Sequence, residues 1–350
     1  MRETLSASRM NCLLECQRKH YYRYELGVEK AQKSDALLFG AAWADFKQNF
    51  RKGMDPESAF GAAIDNQKDK GLLNLPLFVG MAAAYCEIYG AKDDYAALLP
   101  EVAYDRPLDE IAGAEGMFNA FGRLDAIGCT RRGEHVVFED KTTSQAIDLD
   151  SPYWVRLRFN TQILQYVYEV AQAGWNVWRV VYEVARKPKL EKKIVPELDE
   201  NGLKVFIDDE TGQRVLNKNG SPRQTAGEGT TLRGRQETDE EFAERIKHEI
   251  LSNPSRYFVR RDVDILSDQL SEFASHRAAC ANLIAHLRGR EGERREDAWP
   301  RNVDSMRCAW CEFGSPCLQG WSMDPANLPE GFAIKRRTEC EQAPDADEQT

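Results

Sequence analysis

Two segments in which apolar residues recur at every second position, 118–127 and 134–141, flank the polar turn Gly128-Cys-Thr-Arg-Arg-Gly133. A two-residue period is the geometry of a half-buried strand, and a short polar linker with a glycine at each end reverses the chain, so the pair predicts an antiparallel hairpin. On either side the rhythm becomes helical. Upstream, Ser6 or Ser8 can cap a helix that carries Cys12, Cys16, Tyr21, Tyr22 and Tyr24 and stops at Gly27. Trp43, Phe46 and Phe50 predict a second helix from about Gly40, and 79–89 a third. Downstream come a helix over 160–173 and a strand over 178–185. Thr238-Asp-Glu-Glu then starts a helix with Phe242, Ile246 and Ile250 on one face, and Ser267 caps another that runs to about Leu287.

These elements predict an α/β fold, a mixed β-sheet flanked by helices. The expected division is a helical N-terminal part (1–100), a core (101–190), a mobile insertion without periodicity (191–237), C-terminal helices with a cysteine loop (238–330) and an acidic tail (331–350). No P-loop, GxGxxG or internal repeat is present. No run of eighteen apolar residues and no apolar signal core occurs, so a cytoplasmic protein without a membrane partner is expected.

With 47 basic against 57 acidic residues, the formal charge of −10 argues against a protein that coats nucleic acid by neutralising phosphates. Local grip on a few nucleotides stays open. Arg186 to Lys193 holds five basic residues against one acid, a candidate phosphate contact or an exposed solvated loop.

On the second hairpin strand, Glu139 and Lys141 share a face with Val137, while Val136 and Phe138 pack behind. Asp125 on the neighbouring strand can approach Glu139, giving two carboxylates for a hard divalent cation beside an ammonium group. Such a set can polarise a phosphodiester, activate water and offset charge building on phosphorus. Taken alone, the tripeptide fits an alternating, solvated strand face better than a catalytic one.

Its surroundings resemble a known family. Gly122-Arg-Leu-Asp125, a short turn, and Val136-Val-Phe-Glu139-Asp-Lys141-Thr-Thr143 resemble the GxxD…(D/E)xKT core of the PD-(D/E)XK superfamily, especially its RecB-like, phage-type exonuclease branch. In that branch a later helix carries QxxxY, and Gln162-Ile-Leu-Gln-Tyr166 stands at the expected place, with Gln162 and Tyr166 on one helical face. The resemblance implies a restriction-endonuclease-like fold with Asp125, Glu139 and Lys141 as catalytic residues. It further implies Mg²⁺ or Mn²⁺ on Asp125, Glu139 and the Asp140 carbonyl, with Asp45 or Glu101 as further candidate ligands. Gln162, Tyr166 and Thr142 would support the site or contact DNA.

Nine cysteines in a chain expected in the cytoplasm point to metal rather than disulfides. Cys308-Ala-Trp-Cys311-Glu-Phe-Gly-Ser-Pro-Cys317 is compact enough to wrap a metal. Iron-sulfur members of the branch, such as the AddB nuclease domain and CRISPR-associated adaptation nucleases, draw a fourth ligand from an N-terminal helix. The similar segment here is Ser6 to Lys19, which implies Cys16, with Cys12 in reserve. A [4Fe-4S] cluster would join the chain's two ends, with Zn²⁺ in the same site as the alternative. Cys86, Cys129, Cys280 and Cys340 read as inert thiols. Val181 to Leu190 and Trp299-Pro-Arg-Asn302 look like phage and prophage members of the group, extending the resemblance over most of the chain.

One motif departs. The family's pattern, like FGxxxH, places a metal-binding histidine where Phe39-Gly40-Ala-Ala-Trp-Ala44-Asp45 has Ala44. Asp45 can substitute only if the backbone adjusts by about 100° of helix. Otherwise the site uses more water, which Mg²⁺ tolerates, or it is weakened, naturally or by substitution. The expectations are therefore a DNA exonuclease of phage or bacterial recombination, replication or processing, with a recombination or replication protein as a possible partner. The alternative is a DNA-binding or complex subunit with a weakened site, and the third is a zinc-stapled structural protein.

Overall fold

The computed structural model describes residues 2–32, 34–67, 74–90, 95–158, 160–290 and 296–335. A two-residue strand, β1 (Glu3–Thr4), leads to Ser6, which caps α1 (Ala7–Glu15) by accepting from the Arg9 amide. The single helix expected up to Gly27 does not form. Cys16 adopts an extended backbone (φ −163°, ψ 116°), and the tyrosines follow on a short helix, α2 (Gln17–His20), and a π-helical turn over Tyr21–Glu25. Packing accounts for the break. Arg18 and His20 are buried against the C-terminal part, where Arg18 Nε donates to the Trp299 carbonyl (2.9 Å) and the His20 ring stacks on Trp299.

After β2 (Val28–Lys30), three helices form one layer: α3 (Asp35–Arg51), capped by Ser34, α4 (Pro56–Asp65), capped by Asp55, and α5 (Leu75–Tyr89), capped by Asn74. Phe39, Trp43, Phe46, Phe78 and Tyr85 pack together at their centre. In the sheet, β3 (Tyr95–Pro107) runs antiparallel to β4 (Phe118–Thr130), and β4 runs antiparallel to β5 (His135–Thr143), the predicted hairpin. Two helices, α6 (Pro152–Arg158) and α7 (Thr161–Gln172), make the crossover that returns β6 (Val177–Arg186) parallel to β5.

The stretch read as an insertion without periodicity carries four strands of three residues, too short to show a period. They are β7 (Ile194–Pro196), β8 (Phe206–Asp208), β9 (Thr230–Leu232) and β10 (Gly234–Gln236), with β7 pairing β10 and β8 pairing β9. Then come α8 (Asp239–Ser252) with its Thr238–Glu241 capping box, α9 (Pro254–Tyr257) and β11 (Phe258–Asp264), which closes the sheet beside β6. In α10 (Ser267–Arg288) the cap position is Leu266, whose amide donates to Gln269 Oε1, rather than Ser267. The last described elements are α11 (Ser305–Ala309), α12 (Gly314–Gln319) and β12 (Phe332–Ile334). Cys340 and the tail beyond 335 lie outside the described residues.

The result is a mixed six-stranded sheet flanked by helices, consistent with a restriction-endonuclease-like fold. Val137, Val180, Tyr182 and Val184 face α6 and α7, while Ala185 and Phe258 join the α3–α5–α8 layer on the other side. The two chain ends meet through the antiparallel β2–β12 pair and the packing of His20 on Trp299. Among the described residues no helix is long and apolar enough to cross a membrane.

One irregularity positions the site. β4 pairs with β5 only over Ala126–Cys129 and with β1 only over Phe118–Asn119, while β3 holds its opposite edge over both stretches. β1 and β5 therefore share one edge of β4 with a gap between them. The sheet forks beside residues 120–125.

Candidate active site

Asp125 stands at the fork, one residue before the β4–β5 ladder begins and in register with Glu139. Where the ladder would continue, the Asp140 amide donates to Asp125 Oδ2 (2.6 Å), so a carboxylate replaces the missing carbonyl partner. Lys141 Nζ donates to the Glu139 carboxylate and to Gln162 Oε1 (3.2 Å). Gln162 Nε2 donates to the Tyr166 hydroxyl (2.6 Å), which donates in turn to the Arg123 carbonyl (2.8 Å). This relay ties β5, α7 and the forked stretch of β4 together. Five of the predicted site residues thus converge, Asp125, Glu139, Lys141, Gln162 and Tyr166. Thr142 points the other way, toward α3, where a Cβ on Gly40 would lie 3.7 Å from its Oγ1.

Burial pushes the Asp125 carboxyl well above its usual range, and the charges of Glu139 and Asp140 add to the shift. Burial also raises Glu139, with Lys141 offsetting part of it. For Lys141, burial opposes the charge, but Glu139 outweighs it and holds the ammonium in place. Two crowded carboxylates of this kind are relieved by a hard cation, so the donor set fits Mg²⁺ or Mn²⁺. Among the described residues no three His, Cys, Asp or Glu side chains converge on a single-ion position, so main-chain oxygen and water would have to complete the shell.

On the α3 side, a cavity next to Asp125 is lined by Ala44, Asp45, Glu101, Arg123 and Asp140. Ala44 contributes only a methyl group to the lining of this cavity. Asp45 borders the same cavity but accepts from Gln67 Nε2 (3.0 Å). Glu101 follows Pro100, the partner of Ala126, and so lies opposite Asp125 across β3–β4. Among the described residues it is the only non-glycine with positive φ (56°), and its carboxylate pairs with Arg123. A strand residue held in that conformation stores strain that the surrounding contacts must hold in place.

Behind the strand lies a charge network that the sequence reading missed. Asp140 turns away from Glu139 and accepts Arg51 at both oxygens (2.6 and 2.9 Å), with Lys47 Nζ at 3.6 Å. Glu183 of β6 pairs with Lys47, Arg51 and Arg260 and accepts from the Tyr85 hydroxyl (3.2 Å). Burial works against the charge on Glu183, but Lys47, Arg51 and Arg260 outweigh it and hold its carboxyl well below the usual range. The network clamps α3, with Ala44 and Asp45, onto the strand that carries Glu139 and Lys141. A signal was present, since a lone glutamate within Val180-Val-Tyr-Glu183-Val-Ala185 must find a buried cation.

At the far end, Cys16, Cys308, Cys311 and Cys317 line one pocket together with Arg18, Lys19, Arg301 and Arg307. All four are free thiols. The loop winds tightly at Gly314, where a Cβ would meet the Cys308 carbonyl at 2.5 Å. Burial raises the thiol pKa of Cys311 and Cys317. Cys12 is buried outside this pocket, its thiol pushed up to about 12, chiefly by burial. Four sulfur donors beside basic side chains match the donor type of a thiolate-bound metal centre, but among the described residues no three of them converge on a single-ion position.

No curated protein matches this sequence. Among solved structures, the crystal structure of SSO0001 is similar at 11% identity, covering 86% of this chain and 94% of that one with a TM-score of 0.28. A sequence model described as the PD-(D/E)XK nuclease superfamily matches residues 4–318, nearly the whole of the fold described above. The chain belongs to the PD-(D/E)XK nuclease superfamily.

Proposed function

We propose that the protein is a Mg²⁺- or Mn²⁺-dependent deoxyribonuclease, an exonuclease acting on DNA ends or single strands in phage or bacterial recombination, replication or processing. The observation that carries this reading is the relay from Glu139 through Lys141 and Gln162 to Tyr166, built beside Asp125 at the fork of the sheet. Asp125, Glu139 and the Asp140 carbonyl would hold the cation, which when bound supplies Lewis acidity and an activated water. Lys141 Nζ, fixed by Gln162, stands ready to orient that water and to offset charge growing on the phosphate oxygens. Net hydrolysis adds water across the P–O3′ bond, leaving a 5′-phosphate and a 3′-hydroxyl by family analogy.

The four cysteines are proposed to carry a [4Fe-4S] cluster. What supports this reading is that Cys16, 292 positions before Cys308, lines one pocket with Cys308, Cys311 and Cys317, with Zn²⁺ on the same thiolates as the alternative. Anaerobically purified protein should be brown, and a colourless protein containing only zinc overturns the cluster.

The second reading is a nuclease-like complex subunit, and Ala44 facing the Asp125 cavity is the observation that favours it. End-labelled linear DNA with Mn²⁺ separates the two. The nuclease reading expects digestion that Lys141→Ala reduces roughly 100- to 1000-fold. Equal, negligible activity in both proteins supports the subunit instead. A large gain on Ala44→His would show a competent site disabled at one ligand.

A further inference from the structure

We propose that Lys187 forms a phosphate-binding subsite that holds a nucleic-acid phosphate neighbouring the one at the catalytic carboxylates, a proposal that rests on the nuclease reading. Of the basic residues between Arg186 and Lys193, Lys192 is committed to Asp239. Lys187 makes no ion pair among the described residues. Its side chain is half-buried, with Nζ 5.1 Å from the centre of the Phe39 ring. Burial lowers its pKa and no acid offsets the shift. Withdrawing an ammonium from water with only an aromatic ring beside it costs free energy, and an anionic ligand is the partner that would recover it.

Its place on the sheet says which anion. In the parallel β5–β6 pair, Lys141 faces Val184 and Thr143 faces Arg186, and the Lys187 amide donates to the Thr143 carbonyl (2.7 Å). At about 3.3 Å per residue, Lys187 sits roughly 10 Å past the row of Lys141, and its packing on Phe39 puts it with Thr142 on the α3 face, the side of the Asp125 cavity. That is the carboxyl edge of two parallel strands, where open α/β sheets receive ligands. A chain bound at the carboxylates and running along this edge presents its next phosphates there.

The segment is also held firmly. Pro188 is buried and Leu190 packs against the α3–α5–α8 core. Further on, the Glu237 amide donates to the Lys193 carbonyl (2.9 Å) and Arg245 Nη2 donates to the Glu191 carbonyl (2.7 Å). Lys187 is therefore presented on a fixed base.

The test measures binding rather than cleavage. A fluorescein-labelled single-stranded oligonucleotide is titrated with Lys141→Ala protein, with and without Lys187→Met, across a range of salt. The subsite predicts roughly fivefold weaker binding at about 0.1 M salt and a salt slope shallower by about 0.7, the counterion release of one single-strand phosphate contact. It also predicts an equal or higher Tm, because an uncompensated charge has been removed. Lys218→Met, in a distal turn of the insertion, should leave affinity and slope unchanged. Unchanged affinity and slope for Lys187→Met overturn the subsite alone. A lower Tm with an unchanged slope overturns it too, by showing a packing role. No DNA binding by either protein overturns the nuclease reading and the subsite with it.

Discussion

Glu183→Gln keeps the size of the side chain and removes the charge that Lys47, Arg51 and Arg260 share. Arg51 retains both oxygens of Asp140, and Arg260 keeps its stacking over Tyr89 at 4.0 Å, so the loss falls mainly on Lys47. Lys47 is fully buried with Asp140 as its remaining acid at 3.6 Å. Breaking a buried pair on one side costs about 3–5 kcal/mol. There is also a ceiling, because Lys47 can shed its proton instead. Neutralising a lysine of ordinary pKa near 10.4 costs about 4.6 kcal/mol at pH 7, at roughly 1.36 kcal/mol per pH unit, and about 1.9 kcal/mol at pH 9. Burial already pulls Lys47 downward, which makes that escape accessible. Urea unfolding should therefore show the variant less stable by about 3–5 kcal/mol at pH 7 and by under about 2 kcal/mol at pH 9, with the m-value unchanged. Adding Lys47→Met should recover most of the loss. A deficit below about 1 kcal/mol at pH 7, or one that ignores pH, refutes the reasoning.

Two further outcomes follow from other parts of the fold. His20 is fully buried, accepts from Arg9 Nε (3.2 Å) and has its pKa lowered to about 3, first by burial and then by Arg9 and Arg288. A histidine whose folded pKa lies below its unfolded value of about 6.5 contributes stability that is present above that pH and lost as pH falls. Acidifying from 7 to 5 should thus cost about 2 kcal/mol through this residue, a loss that His20→Phe removes from the Tm-against-pH curve. At the α5–α8 contact, a Cβ on Gly80 would meet the Ala243 carbonyl at 2.5 Å and Ile246 Cβ at 2.7 Å, so Gly80→Ala should destabilise by about 1–3 kcal/mol in denaturant titrations.

What the sequence disclosed depended on the distance over which each interaction acts. The β4–β5 hairpin was legible because a two-residue period and a glycine-bounded turn are local. So was the pairing of Gln162 with Tyr166, one helical turn apart. The clamp of Lys47 and Arg51 on Glu183 and Asp140 was not, because it joins α3 to strands far along the chain. Lys47 sits among Phe46 and Phe50 and Glu183 among valines, and each is intelligible only once the other is found. The break at Cys16 was equally hidden. It carries no proline or glycine and is imposed by Trp299 and Glu296, which Arg18 and His20 must reach. For the candidate site, residue identities were readable, but the fork that sets Asp125 against Glu139 arises because β1 and β5 share one edge of β4.

The meeting of the two chain ends also bears on how the protein is made. Leu5, Met10 and Leu13 share a core with Phe273, Ile284, Trp299 and Phe313, so these residues wait for partners made far later along the chain. At about 5–20 residues per second, the 300 positions between Leu13 and Phe313 take roughly 15–60 s to synthesise. Through that interval the N-terminal helix lacks these partners and offers part of its apolar surface to chaperones. Closure of this core therefore waits for α10 to α12, and a chain cut before Trp299 would leave this helix open to proteolysis.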